Sequence, residues 1–171
     1  MPAQDRLAPG QRFPDHQFTD HAGNRRGLSE LVAGDPAVLQ FYRGWWCPKE
    51  QAFFRSLVAL QDRAEVAYAS FVSVSVDEPR VAAAFRAGLG ARWTFLSDAD
   101  RAVQARLGLR ETTDKVHDPY APAVFTLFPD LTIHAAYDGY WFWGRPTAEE
   151  LRQDLRAITR AVRPDWKAPV A

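Results

Sequence analysis

The chain has 171 residues, 47% of them hydrophobic and 25% charged, with 21 basic side chains against 21 acidic ones. Such a length buries a core without staples, and balanced charge gives no field for nucleic acid or an anionic membrane surface. A single cysteine excludes an internal disulfide, no run approaches the roughly 18 apolar residues that cross a bilayer, and the first residues hold no apolar leader, so the expected setting is cytoplasmic.

One domain is expected over 1–171, with proline- and charge-rich tails at about 1–12 and 163–171. After the first tail, "RFPDHQFTDHAGNRRGLSEL" reads as short extended pieces around a turn at Ala22–Gly23–Asn24, then a brief helix capped near Ser29. "PAVLQFY" (36–42) is a continuous apolar strand of the kind buried on both faces. The next helix starts at Cys47–Pro48 and runs to about Ala64, with Phe53, Phe54, Leu57, Leu60 and Ala64 as its stripe.

"ASFVSVSVD" (69–77) alternates and is β-branched, hence a strand. "EPRVAAAFRAG" opens with proline and closes with glycine, hence a helix. "RWTFLSD" is a short strand and "DADRAVQARLGL" a short helix. "APAVFTLF" (121–128) and "LTIHAAYD" (131–138) form a hairpin about Pro129–Asp130. "TAEELRQDLRAITRAV" begins with a Thr147–Glu150 capping box and is the last helix. This order argues an α/β fold, a central mixed sheet flanked by helices on both faces, with an N-terminal β extension.

Cys47 stands where a buried strand ends and a helix begins, the edge of an open α/β sheet at which ligands gather. Pro48 suits the first helical position, where its missing N–H costs nothing. The thiol, expected to be open to solvent, then faces free backbone N–H groups and the positive end of the helix dipole, which favour a thiolate. Arg43 and Lys49 add positive potential. Glu50 falls at the third helical position, where it reaches back to the N-cap N–H, while its charge near sulfur opposes thiolate formation. Trp45 and Trp46 point to opposite sides of an extended turn, one packed inside and one lining the thiol's entrance. A lone cysteine is otherwise a small buried hydrophobe.

The segment "FYRGWWCPKEQ" resembles the active-site turn of the thioredoxin-like superfamily. It is most similar to the redoxin and peroxiredoxin-like branch related to alkyl hydroperoxide reductase C, many of whose members carry F-Y-R-G-x-W-C-P-x-C. The similarity runs from "LAPGQRFPDHQFTDHAGNRRGLSELV" through "FVSVSVDEP" and "TFLSDADRAVQARLGL" to "APAVFTLFPD". It implies a thioredoxin-like fold with Cys47 as the peroxidatic or nucleophilic thiol. It also implies that Pro122 matches the proline that is cis in thioredoxin-like proteins and faces the active cysteine. Three departures stand out. Glu50 replaces a second cysteine; Gly44 and Gln40 occupy the threonine and proline positions of P-x-x-x-T-x-x-C. Ala121–Pro122 stand where peroxiredoxins place an arginine, a part left to Arg43 or Arg145.

The reading that follows is a single-cysteine thiol-dependent peroxidase or thiol–disulfide oxidoreductase. Cys47 becomes a sulfenate or mixed disulfide, its substrate a small peroxide or disulfide, and an external thiol such as glutathione or a thioredoxin-like protein resolves it. The alternative is a redox-inactive thioredoxin-fold protein that binds through its aromatic surface. "AAYDGYWFWGRPT" concentrates Tyr137, Tyr140, Trp141, Phe142 and Trp143, read as a wall over the site, a homodimer contact, or packing under the last helix. His117, in "RETTDKVHDPY", approaches Cys47 if that loop folds over the site, and Tyr42 completes the candidates. His16 and His21 lack a third ligand at metal-binding spacing, His134 reads as structural, and no nucleotide-binding loop is present. No cofactor and no metal are expected.

Overall fold

The computed structural model describes residues 7–138, 144–165 and 167. Its strands and helices, in chain order, are β1 (Gln17–Asp20), β2 (Arg25–Gly27), α1 (Leu28–Val32), β3 (Ala37–Phe41), α2 (Pro48–Val66), β4 (Ser70–Ser75), α3 (Pro79–Leu89), β5 (Thr94–Ser97), α4 (Ala102–Leu107), β6 (Ala123–Leu127), β7 (Ile133–Asp138) and α5 (Ala148–Val162). The strands form one sheet in the order β2-β1-β5-β4-β3-β6-β7. β3, β4 and β5 run parallel, while β6 lies antiparallel to β3 and β7 antiparallel to β6. The β1–β2 pair extends the far edge by antiparallel pairing with β5. This is the mixed sheet the pattern called for, with the thioredoxin-like arrangement the resemblance implied.

The period of two in β3 explains both cores. Ala37, Leu39 and Phe41 join one cluster with Phe13, Phe125 and Tyr120, whereas Val38 and Tyr42 join the other with Phe54, Phe95 and Leu57. Both faces are apolar because helices cover both, and the continuous run of hydrophobic residues follows from that burial. Phe54 is fully buried, with ring centroids 4.9 Å from Tyr42, 5.1 Å from Phe85 and 5.3 Å from Phe95. This aromatic packing seats α2 on the sheet and so fixes where the helix begins.

Caps decide several boundaries. Thr147 Oγ1 accepts from the Glu150 N–H at 3.1 Å and Glu150 accepts from the Thr147 N–H at 2.7 Å, the reciprocal pair read from the sequence. α1 is capped at Gly27 and not at Ser29, because Ser29 is drawn to Asp15, which accepts from both its N–H and its hydroxyl. α4 begins at Ala102, later than the pattern suggested. Asp98 accepts from the N–H groups of Val103 and Gln104, so the carboxylate sits ahead of the helix instead of inside it. Asp20 likewise closes the turn at 22–24 by accepting from Ala22 and Asn24.

Candidate active site

β3 delivers the chain to Tyr42, whose N–H still bonds Val74 across the sheet, and the next five residues turn into α2. Pro48 occupies the first helical turn and Cys47 is the N-cap, with extended backbone angles and its N–H donated to Gly44 at 3.2 Å. Arg43 bends over this turn: its Nη1 stands 3.8 Å from Cys47 Sγ, and its Nη2 donates to Asp114 Oδ2 at 2.9 Å. A guanidinium at that distance stabilises negative charge on sulfur.

The thiol is not open to solvent as expected; Cys47 is 3% exposed. The Arg43 side chain, itself only 10% exposed, lies on it and is tied down by a loop 71 residues downstream in the chain. An isolated helix start exposes its cap, and here Arg43, held by the 110–120 loop, lies over it.

That loop builds a stack. The Arg43 guanidinium carbon lies 4.9 Å from the Trp46 ring centroid. The His117 imidazole stacks on Trp46 with centroids 3.8 Å apart, and its Nδ1 is 3.0 Å from Asp114 Oδ2. Burial raises the Asp114 pKa, but hydrogen bonds from the His117 N–H, its ring and the Val116 N–H outweigh it and hold the carboxyl below its usual range. His117 thus folds over the site, acting on Arg43 through Asp114. Sequence reasoning missed Asp114. Its one signal was the spacing in "TDKVH", where an aspartate accepts from backbone N–H groups two and three residues on, closing a turn.

Neither tryptophan of the turn enters the core. Trp46 lies back across Gly44, whose φ of 151° and missing Cβ make room, since a Cβ there would collide with the indole Nε1. Trp45 is 49% exposed, its N–H donated to Asp77 at 3.2 Å and its carbonyl held by the Gln51 amide at 2.7 Å. Burial pushes the Asp77 carboxyl above its usual range, against the bond from Trp45. Asp77 is a second residue the sequence did not single out.

Glu50 does not reach back to the Cys47 N–H. It is fully buried and accepts instead from the Arg43 N–H at 3.1 Å and from Arg145, through Nε at 3.1 Å and Nη2 at 2.7 Å. A buried carboxylate requires a charged, two-pronged partner, and Arg145 supplies it where a backbone N–H alone would not. Arg145 therefore acts on Glu50, joining the segment before α5 to the first turn of α2. Lys49 is exposed.

Pro122 departs from expectation: no cis peptide bond occurs among the described residues. The approach to β6 is held extended by the Ala121 N–H bond to Leu109 and the Arg110–Tyr120 bridge, and a trans bond is the intrinsically preferred form. Tyr42 is fully buried among Phe54, Phe85 and Phe95, and burial pushes its hydroxyl far up; its place is the core. Of the aromatic cluster, Tyr137 bonds Asp154 at 2.7 Å, while Tyr140, Trp141, Phe142 and Trp143 lie outside the described residues. His134 faces Asp154 and the ring of Phe128. Among the described residues no group of His, Cys, Asp or Glu could hold a metal ion, and no helix is long and apolar enough to cross a membrane.

Comparison with known proteins places this geometry. Residues 9–136 match the family model described as "AhpC/TSA family". The Mycobacterium tuberculosis protein named "Putative peroxiredoxin Rv1608c" is 36% identical over 107 residues, covering 61% of this chain and 68% of that one. Among solved structures, peroxidoxin BcpB of the same organism superposes with a TM-score of 0.75 at 23% identity, over 92% of this chain and 99% of the other. The yeast mitochondrial 1-Cys peroxiredoxin reaches 0.75 at 14% identity, over 96% and 82%. A redoxin-type sheet, a cysteine capping α2 and a family match across three quarters of the residues converge: the chain belongs to the AhpC/TSA family, as a single-cysteine, peroxiredoxin-like oxidoreductase.

Proposed function

We propose that the protein reduces small peroxides at Cys47, with Arg43 as the residue that holds charge at the reacting sulfur and an external thiol closing the cycle. The supporting observation is the Arg43 Nη1–Sγ approach of 3.8 Å beside a buried thiol. The Cys47 thiolate attacks one oxygen of the peroxide, the O–O bond breaks, and the other oxygen leaves as hydroxide or alkoxide and takes a proton from water. Sulfur is oxidised to the sulfenic acid and the peroxide is reduced to water or alcohol. Arg43 faces the charge that passes from sulfur to oxygen.

A thiol then condenses with the sulfenic acid, releasing water and leaving a mixed disulfide; a second thiol attacks this, restores the Cys47 thiol and departs as the oxidised disulfide. No second cysteine of this chain can take part. The reductant is of the glutathione or thioredoxin-like class, the systems named for the yeast 1-Cys relative. Burial orders the two halves. A peroxide is little larger than water, whereas a thiol reductant is bulky, so resolution requires the Gly44–Cys47 turn to open and oxidation does not.

Stopped-flow tryptophan fluorescence against hydrogen peroxide, comparing wild type with Cys47→Ser, tests the proposal. Wild type gives a second-order change read by Trp46, Cys47→Ser gives none, and a sulfenate is trapped by dimedone on Cys47. Identical traces with no trapped sulfenate would overturn it. Consumption of glutathione or of a thioredoxin-like protein under the same conditions assigns the reductant.

A further inference from the structure

On the outer side of the active turn, between the first half of α2 and α3, a groove of about 730 Å³ opens to solvent. That volume falls within the span of small-molecule sites. Its walls are apolar and aromatic: Trp45, Val81, Phe85 and Leu89. Along α3 the small residues Ala84 and Gly88 also line it. Arg55 on α2 and Arg80 on α3 line it from opposite helices, both exposed. Among the described residues neither arginine makes an ion pair or hydrogen bond, and no carboxylate lines the groove.

Arg92, beside a smaller hollow of about 230 Å³ near the N-terminal end of β4, is engaged by Asp62 and Glu65. Arg43, Arg26, Arg101, Arg110, Arg145 and Arg152 each have a carboxylate partner. Two unpartnered guanidiniums lining one apolar hollow from different helices fit a ligand with one anionic head and an apolar body. An acidic peptide would need a longer track of cations and a polar floor.

We propose that this groove is a binding site for an organic carboxylate with an apolar body, such as a medium-chain fatty acid. Arg55 and Arg80 hold the head group by charge-assisted hydrogen bonds, and Trp45, Phe85, Val81 and Leu89 shed water around the tail. The inference goes beyond the redox reading and uses no step at Cys47. The groove nonetheless touches the active turn, because Gln51, one of its lining residues, holds the Trp45 carbonyl.

Isothermal titration of the reduced full chain with sodium octanoate, and with 1-octanol as the neutral control, tests it; ¹⁵N amide shifts locate the ligand. Octanoate binds saturably, weakens as salt is added, and shifts amides of α2, α3 and Trp45. The double variant Arg55→Gln/Arg80→Gln loses about tenfold in octanoate affinity, the scale of partly screened charge pairs, and binds octanol as wild type does. Ala84→Trp, at an exposed helix position, fills the groove and abolishes binding of both. Octanoate binding equal to that of octanol, unchanged in either variant, or not saturable would overturn the proposal. Near-ultraviolet circular dichroism confirms that each variant is folded. Because the readout is binding to reduced protein, the result is independent of peroxide turnover.

Discussion

Replacing Arg43 by methionine tests the core of the site, because it removes the charge while keeping an unbranched side chain in place of the arginine's aliphatic stem. Two unit charges 3.8 Å apart interact by about 4 kcal/mol at an effective dielectric of about 20 and by about 1 kcal/mol in bulk water. Asp114, at 2.9 Å from the same guanidinium, already neutralises part of that charge, which favours the lower half of this range. Losing about 1–3 kcal/mol of charge stabilisation at the reacting sulfur and oxygen corresponds to a loss of roughly 5- to 150-fold in the rate of peroxide attack. The backbone anchor survives the change, since Glu50 accepts from the Arg43 N–H and not from its side chain. Arg43→Lys retains the charge but cannot reach Asp114 and sulfur together, so it falls between wild type and Arg43→Met. The assay is the second-order rate of hydrogen peroxide oxidation by stopped flow, with iodoacetamide alkylation at pH 7 as an independent measure of thiolate. If Arg43→Met oxidises within twofold of wild type, Arg43 does not carry the charge and the electrostatic argument fails.

Asp77→Asn keeps an oxygen to accept from the Trp45 N–H and removes a charge that burial disfavours. A carboxyl whose folded-state pKa is raised contributes stability below its unfolded value, lost as pH rises through the raised one. The variant therefore unfolds at higher urea than wild type at pH 7, and the difference vanishes near about pH 4; a less stable variant at pH 7 refutes this. Thr147→Ala removes the side-chain half of the α5 cap and costs about 1 kcal/mol in urea unfolding, while Thr147→Ser costs less. Gly44→Thr restores the threonine of the P-x-x-x-T-x-x-C pattern yet costs about 1–3 kcal/mol through its backbone angle, besides displacing Trp46. Its peroxide rate falls, and an unchanged rate would show that the indole's position is immaterial.

The sheet was legible because its strands carry their own signals. β3 is apolar but for Gln40, β4 alternates, and Pro48, Pro79 and the Thr147–Glu150 pair mark helix starts that the structure keeps. Cys47 was legible for the same local reason: a helix start needs only the neighbouring residues. The environment of its sulfur was not. The Arg43 side chain beside the thiol is tied by Asp114, 71 residues away, and Glu50 is engaged by Arg145, 95 residues away. Such pairings are set by tertiary closure, and a residue such as Glu50 offers several plausible partners from sequence alone. The local one, the Cys47 N–H, lost to a fork of two charged donors because a fully buried carboxylate gains more from them. Pro122 misled in a different way. The residues around it do not themselves encode the isomer, and the trans form is the intrinsically preferred one.

The departures from the peroxiredoxin pattern are coupled to one another. Gly44, in place of threonine, opens the space that Trp46 fills. Trp46 in turn is the plate on which Arg43 and His117 lie from two directions. Arg43, so supported and tied by Asp114, brings positive charge to sulfur at a site where proline stands in the position of the family's late arginine. Removing any one member undoes the reason for the others. A threonine at 44 displaces the indole on which the guanidinium and the imidazole both lie. The chain therefore reaches an electropositive setting for its sulfur through a different set of contacts, and single substitutions back toward the common pattern lower activity where a degenerate site would be indifferent to them.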